Sequence, residues 1–560
     1  MDKNNTEYKK LFAEKKYSEL MFLIETSKKE KDLLAGEHNL LGVTRILVEK
    51  NKKNIILSLD NFEKGYLKEK HTKIGLDSLK NFINLSVDLY KIPNTQIDIK
   101  KIINYFQEAK EFWGYDKNLM LAIKRFYWRL NEVKKVQSIL LEMIENKEYD
   151  STTLCSYIYS KGFDDDWSQE DFFNFSKFIQ EKTPVFKKED LRNLKFNKNK
   201  KKKLAFLSGD IRSNHSVTYF LKTILLNYNK EDIEIYLFSN QTNDNNISTK
   251  ITDLVHKTIN ISKLSELRAL NKIREFNLDV MIDVMGYTSK NRIGLFKNRI
   301  AKKQIVWMGY CNTTGLKNMD YIISDPNLIN PSEEKFYAEK VKYLPEIWNC
   351  HAGFDFERKE NPPPFLKNNY ITFGSFNNPA KINENVVNCW SKILKNVKNS
   401  RLIIKFSNDK QKFTRIRKLM EEKGIYKSVI FHKPLEDKKD HLNLYKQIDI
   451  ALDTFPYNGV TTSFEAIWMG VPVITMAGYN FNSRCGESIN KNLNLEYLIA
   501  KDEEEYISKA INLSNNTKKF FELRKFIYVE ALKSPLFDQK KFSKNFFKTL
   551  EEIVNLKKLI

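Results

Sequence analysis

Residues 448–476, IDIALDTFPYNGVTTSFEAIWMGVPVITM, decide how the chain is read. IDIALD (448–453) and VPVITM (471–476) are short apolar runs rich in β-branched residues, the form of strands buried on both faces. Between them lie a turn with Gly459, two hydroxyl residues, and a helical stretch that stops at Gly470. Strand, loop, helix, strand is one βαβ unit, and its loop sits at the carboxyl end of a strand, where parallel sheets bind ligands. A helix start offers free N–H groups and the positive end of the helix dipole, so Gly459, Thr461 and Thr462 suit an anion such as a phosphate. Glu465, one turn further, can accept hydrogen bonds from ribose hydroxyls. The competing reading is a capping box, with Thr462 as the cap and Glu465 closing it.

The same alternation runs through most of the chain. LAFLS (204–208), IEIYLFS (233–239), DVMIDV (279–284), QIVWMGY (304–310) and YIISD (321–325) form one set of strands, separated mostly by helical stretches. ITFGSF (371–376), RLIIKF (401–406), SVIFH (428–432) and the two runs already quoted form a second set. Two sets imply two doubly wound sheets. The expected boundaries are 204–356 and 370–545, joined by a proline-rich linker at 357–369, with a final helix at 546–560. Ahead of them, 1–150 reads as helices alone. In 39–70, apolar residues at helical spacing fall on either side of EKNKKN, a helix–turn–helix of about 34 residues, the size of a tetratricopeptide unit. The pattern returns imperfectly at 75–110 and 118–147. A helical connector and a basic linker fill 151–203.

Composition excludes several classes. An apolar content of 41% supplies real cores, so the chain is not disordered. The 94 basic against 71 acidic residues leave +23, but no basic–aromatic motif accompanies the lysine runs, so no nucleic-acid partner is expected. Five scattered cysteines contain no C-x-x-C pair, which excludes a zinc knuckle or disulfide framework and suits a reducing cytoplasm. The first residues, MDKNNTEYKK, lack an apolar signal-peptide core, and no run is apolar enough to cross a membrane. FDDDW (163–167) contains an Asp-x-Asp, a metal-holding pattern in some sugar transferases; after Gly162 and before a helix start it reads as a solvated turn.

Further candidate groups cluster at strand ends. After ITFGSF come Asn377, Asn378 and Lys381, where a lysine can reach a phosphate as a mobile point charge. After SVIFH come Glu436, Lys438 and His441. In the first set, LSGDIRSNHSVTYFL (207–221) puts His215 at a strand mouth, able to take a proton or to bind a phosphate; a polar helix start is the alternative. The loop MGYTSKNR (285–292) follows Asp283.

These stretches, together with WMGYCNTTGLKNMDYIISD (307–325), SFNNPAKI (375–382) and LDTFPYNGVTTSFEAIWMGVPVITMAGYNFNSRCGESI (452–489), resemble in order the catalytic half of the protein O-linked N-acetylglucosamine transferase family, including its bacterial and SPINDLY-like members. The resemblance covers roughly 150–545. It implies an α/β GT-B fold, two facing Rossmann-like domains behind an all-α tetratricopeptide-like front. It implies an inverting, metal-independent transferase, with no cofactor, that moves a sugar from a UDP donor to Ser or Thr of proteins. N-acetylglucosamine is the expected sugar, and the protein acceptor is expected along the helical front. Glucose transfer to Asn, fucose transfer from a GDP donor, and a silent scaffold that only binds nucleotide are the rivals. By resemblance, Lys381 and Asn378 meet the donor pyrophosphate, Lys438 and His441 the uridine, and Thr461 and Thr462 the phosphates. Glu465 stands where the family has a ribose-binding aspartate. His215 matches a histidine once favoured as general base, while Val460 and Tyr219 replace family histidines. The attacking hydroxyl's proton is assigned to His215, to Asp283, or through water to the phosphate.

Overall fold

The structure is a computed structural model describing residues 3–92, 95, 97–187, 189, 191–194, 201–212, 215–242, 248–355, 357–405, 414–433, 435 and 437–555. The described residues before Asp150 form one compact unit, and both sheets lie in another.

The first unit is helical: α1 (Lys3–Ala13), α2 (Tyr17–Ser27), α3 (Ala35–Val48), α4 (Lys52–Lys68), α5 (Lys73–Lys91), α6 (Ile99–Trp113), α7 (Lys117–Arg129) and α8 (Val133–Glu145). Side-chain caps set several starts. Asn51 accepts from the Asn54 amide at 2.9 Å, Asp98 from Lys101 at 2.9 Å and Asp116 from Leu119 at 2.8 Å, each satisfying a donor that the first turn leaves open. Helix α3 packs on α4 and α7 on α8, while α5 packs on both α3 and α7, as stacked helical hairpins do. Gly42 permits a close approach of α3 to α4: a Cβ there would lie 2.6 Å from the Phe62 ring. The hairpins start at Ala35, Lys73 and Lys117, wider than a repeat of about 34 residues.

In the second unit, α9 (Ser151–Lys161) and α10 (Gln169–Lys182) precede the first sheet. Its strands are β1 (Lys202–Ser208), β2 (Ile233–Ser239), β3 (Lys257–Asn260), β4 (Val280–Asp283), β5 (Lys303–Val306), β6 (Tyr321–Ser324) and β7 (Lys340–Tyr343). Helix α11 (Ser216–Leu226) follows β1, α12 (Thr249–Thr252) follows β2 and α13 (Glu266–Arg274) follows β3. All pairings are parallel and the order is β3-β2-β1-β4-β5-β6-β7.

The second sheet holds β8 (Thr372–Ser375), β9 (Arg401–Lys405), β10 (Val429–His432), β11 (Ile450–Leu452), β12 (Val473–Met476) and β13 (Ile499–Ala500), parallel in the order β10-β9-β8-β11-β12-β13. Its helices are α14 (Phe365–Asn368), α15 (Glu384–Asn396), α16 (Thr414–Glu422), α17 (Lys438–Asn443), α18 (Thr461–Trp468), α19 (Cys485–Lys491), α20 (Glu503–Asn515), α21 (Thr517–Glu530) and α22 (Gln539–Asn555).

The order in which strands are added reverses once in each sheet, between β1 and β4 and between β8 and β11. Ligands of doubly wound sheets bind beyond the strand ends at such points. The two sheet domains are tied by Ser488 Oγ donating to Asp325 at 2.7 Å and by the Arg484 guanidinium on the Glu333 carboxylate at 2.6 and 2.8 Å.

Several details differ from the sequence reading. Strands β3, β7 and β13 escape it, because β3 and β7 are edge strands with partly exposed side chains and β13 has two residues. Among the described residues, β4, β5, β6 and β7 are joined without α-helices; short 3₁₀ turns at Ile293–Lys297 and Pro331–Phe336 serve instead. The linker at 357–369 carries α14. The last helix starts at Gln539, not 546, and returns to the first sheet domain, where Phe546 meets Trp307 with centroids 4.6 Å apart. In FDDDW, Asp166 is paired with Lys161 at 2.5 Å and Asp165 accepts from Asn385 at 3.3 Å.

Candidate active site

The loops after β8 and β11 meet at the second switch point. Asn378 accepts from the Ala380 amide at 3.1 Å and so shapes the 3₁₀ turn Pro379–Lys381. Lys381 Nζ reaches across to donate to the Asn458 carbonyl at 2.7 Å and lies 3.9 Å from the Tyr457 ring centroid. Burial lowers its pKa to about 8, against the opposing pull of Asp453. Asn458 is itself pinned, donating to the Thr454 carbonyl at 3.0 Å and accepting from the Gly486 amide at 3.2 Å.

Asp453 is the hub of this corner. Its buried carboxylate accepts from Asn377 at 3.1 Å, from the amides of Thr454 at 2.8 Å and Gly459 at 2.7 Å, and from Thr475 at 2.8 Å. Asn377 in turn accepts from Thr462 Oγ1 at 2.7 Å. Gly459 is required by space: a Cβ there would meet Thr462, Asn377 and Asp453 atoms at 2.6, 2.8 and 2.9 Å. Helix α18 starts at Thr461 without a side-chain cap. Among the described residues, the amides of Val460, Thr461 and Thr462 donate to no protein acceptor. Thr462 and Glu465 thus form no capping box; the Thr462 hydroxyl reaches instead to Asn377, in the loop that carries Lys381.

Glu465 is buried, with 2% of its side chain exposed. Lys438 Nζ donates to one oxygen, while His441 Nε2 at 2.8 Å and Tyr445 OH at 2.9 Å share the other. Burial pushes this carboxyl upward, but Lys438, His441 and Lys405 outweigh it and hold it well below the usual range. A carboxylate has about four acceptor positions, and three are in use, so a ribose hydroxyl would share Glu465 with these side chains. Glu436 lies outside the described residues.

At the first switch point the two acid–base candidates are differently placed. His215 caps α11: Nδ1 accepts from the Val217 amide at 3.4 Å, and Nε2 lies 3.7 Å from Asp210. Burial lowers its pKa, so the ring is neutral near pH 7. With Nδ1 accepting, the proton sits on Nε2, and this tautomer has no lone pair for an incoming hydroxyl. Asp283 is 1% exposed, and its two oxygens accept from the amides of Met285 at 3.2 Å and Gly286 at 2.7 Å. Burial raises its pKa to about 7. In this geometry Asp283 fixes a turn. Tyr219, one turn after His215, faces the other domain, with Lys438 Nζ 4.9 Å from its ring centroid.

Asp453 and Tyr445 were not singled out from sequence. Their signals are faint: Asp453 is the acid that ends a strand run, and Tyr445 lies one turn beyond His441.

A family model described as Glycosyl transferase family 41 matches residues 166–352 and 364–546. The chain belongs to glycosyl transferase family 41. Within the family it is similar to a Solanum lycopersicum protein named probable UDP-N-acetylglucosamine–peptide N-acetylglucosaminyltransferase SPINDLY, 34% identical over 350 residues, or 61% of this chain and 37% of that one. The Arabidopsis thaliana protein of the same enzyme name, SEC, is 27% identical over 371 residues, 64% of this chain and 37% of its own length. The chain therefore spans little more than a third of these relatives. A solved Thermobaculum terrenum O-GlcNAc transferase mutant shares the fold, with a TM-score of 0.79 and 19% identity over 93% of this chain and 98% of that one. The family's GT-B architecture behind a helical front is thus the architecture of this chain.

Proposed function

We propose that this chain is an inverting glycosyltransferase that moves a sugar, N-acetylglucosamine in the first instance, from a UDP donor to Ser or Thr hydroxyls of proteins. The observation that carries this is the corner where Lys381 meets the uncapped start of α18. Lys381 holds the Asn458 carbonyl just ahead of Gly459, and the helix start that follows offers three open amides and two threonine hydroxyls, that of Thr462 bound to Asn377. They suit the negative charge that a departing nucleoside diphosphate develops, the term expected to dominate such a reaction. This local positive charge also supports a reaction without a divalent ion. Names of the relatives favour N-acetylglucosamine and a protein acceptor.

For the proton of the attacking hydroxyl, the neutral His215 tautomer and the enclosed Asp283 favour release through water to the donor phosphate. The helical front would hold a stretch of acceptor protein.

The test is nucleoside diphosphate release from UDP-N-acetylglucosamine, UDP-glucose and GDP-fucose, with and without EDTA, alongside mass spectrometry of host proteins. N-acetylhexosamine adducts and EDTA-insensitive UDP release are expected. A hexose or deoxyhexose adduct would move the proposal to another donor. Release that EDTA abolishes would refute metal independence, and no release from any donor would refute transferase activity.

A further inference from the structure

Two charged clusters flank the start of α18. One is Lys381 with Asp453, described above as the diphosphate end. The other is Glu465 with Lys438 and His441, and a residue not yet placed belongs to it. Lys405 ends β9. It follows Ile404, which pairs with Ser375 at the end of β8, and it lies opposite His432 on β10. That position is in the crevice beyond the strand ends, on the side of β8 away from β11. Glu465 and His441 feel its charge. With β8 between its strand and β11, which leads into Asp453, Lys405 stands on the side of the site away from the phosphate corner.

The charges in this second cluster do not balance. Glu465 is one carboxylate, already in contact with Lys438. Among the described residues, the half-buried Lys405 forms no hydrogen bond or ion pair. The one negative charge of Glu465 thus faces two ammonium groups, only Lys438 in contact with it, and Lys405 keeps unused donors. His441 adds an Nδ1 that is buried without a partner among the described residues. A half-buried cation with free donors is costly unless something accepts from it.

A nucleoside diphosphate laid across the switch point would put its phosphates at Lys381, its ribose near Glu465 and its base beyond. Resting on the function proposed above, we infer that Lys405 sets base choice by donating to the exocyclic carbonyl of the donor's nucleobase, O4 of uracil or O6 of guanine. An ammonium only donates. Cytosine and adenine carry an amino group where uracil and guanine carry that carbonyl, so they would oppose donor to donor.

The experiment is isothermal titration of the full chain and of Lys405→Met with UDP, CDP, GDP, ADP and inorganic pyrophosphate. The intact chain should bind its preferred carbonyl base about 10- to 100-fold more tightly than the amino counterpart, the range of a hydrogen bond to a charged group. Which pair shows it, UDP over CDP or GDP over ADP, identifies the base. Lys405→Met should reduce that ratio to about threefold or less and leave pyrophosphate affinity unchanged. The inference is overturned if the ratio survives in the variant, if the intact chain shows no ratio, or if pyrophosphate affinity falls in parallel, which would make Lys405 a phosphate contact. Binding of no diphosphate by the intact chain would instead overturn the proposed function. A circular dichroism melt of the variant establishes that it is folded.

Discussion

Replacing Lys381 with Met separates the lysine's structural cost from its chemical use. A lysine that titrates at about 8 in the fold, against 10.5 when free, has its charged form disfavoured by about 3 kcal/mol at neutral pH. Methionine removes that cost. It also strands the buried Asn458 carbonyl, which costs about 1–3 kcal/mol, and loses the contact with the Tyr457 ring, worth about 0.5–2 kcal/mol. The two sides nearly cancel, so the melting temperature at pH 7 should change by only a few degrees. Turnover should nevertheless fall about 10²- to 10³-fold, the effect of removing one preorganised donor from developing charge. The pH dependence has a definite sign. The lysine's folded pKa is depressed, so its penalty is full below about pH 8 and fades as pH rises toward 10.5. The unmodified chain should therefore gain stability relative to Lys381→Met between those values. Diphosphate release and thermal melts from pH 7 to 10 measure both effects. Turnover within about tenfold of the unmodified chain, or a stability difference that is flat with pH, would refute the reasoning.

Gly459→Ala forces a methyl to within 3 Å of Asp453, Asn377 and Thr462 atoms; UDP affinity measured by titration should drop at least tenfold, a loss of about 1.4 kcal/mol, while the helical front keeps its circular dichroism. Deleting residues 1–149 should impair sugar transfer to protein acceptors more than hydrolysis of the donor in parallel assays, and equal loss would count against an acceptor-docking role for the front.

Much of the fold was legible because each element satisfies its own local chemistry. Strands buried on both faces are largely apolar, so LAFLS and VPVITM announce themselves. Edge strands such as Lys257–Asn260 and Lys340–Tyr343 carry no such mark, because exposed faces tolerate any side chain. Of the site, Lys381, Thr461, Thr462 and Glu465 could be proposed from sequence, since their types and their places after strands already suit a phosphate and a ribose. Partnership could not be proposed. That Asp453 gathers Asn377, Gly459 and Thr475, that His215 spends its lone pair on a cap, and that Glu465 is held by Lys438 and His441 all depend on how the folded chain sets side chains against one another. Sequence determines which groups are available and on which element each stands. Whether a lone pair is free, or a charge balanced, is decided by neighbours that only packing supplies.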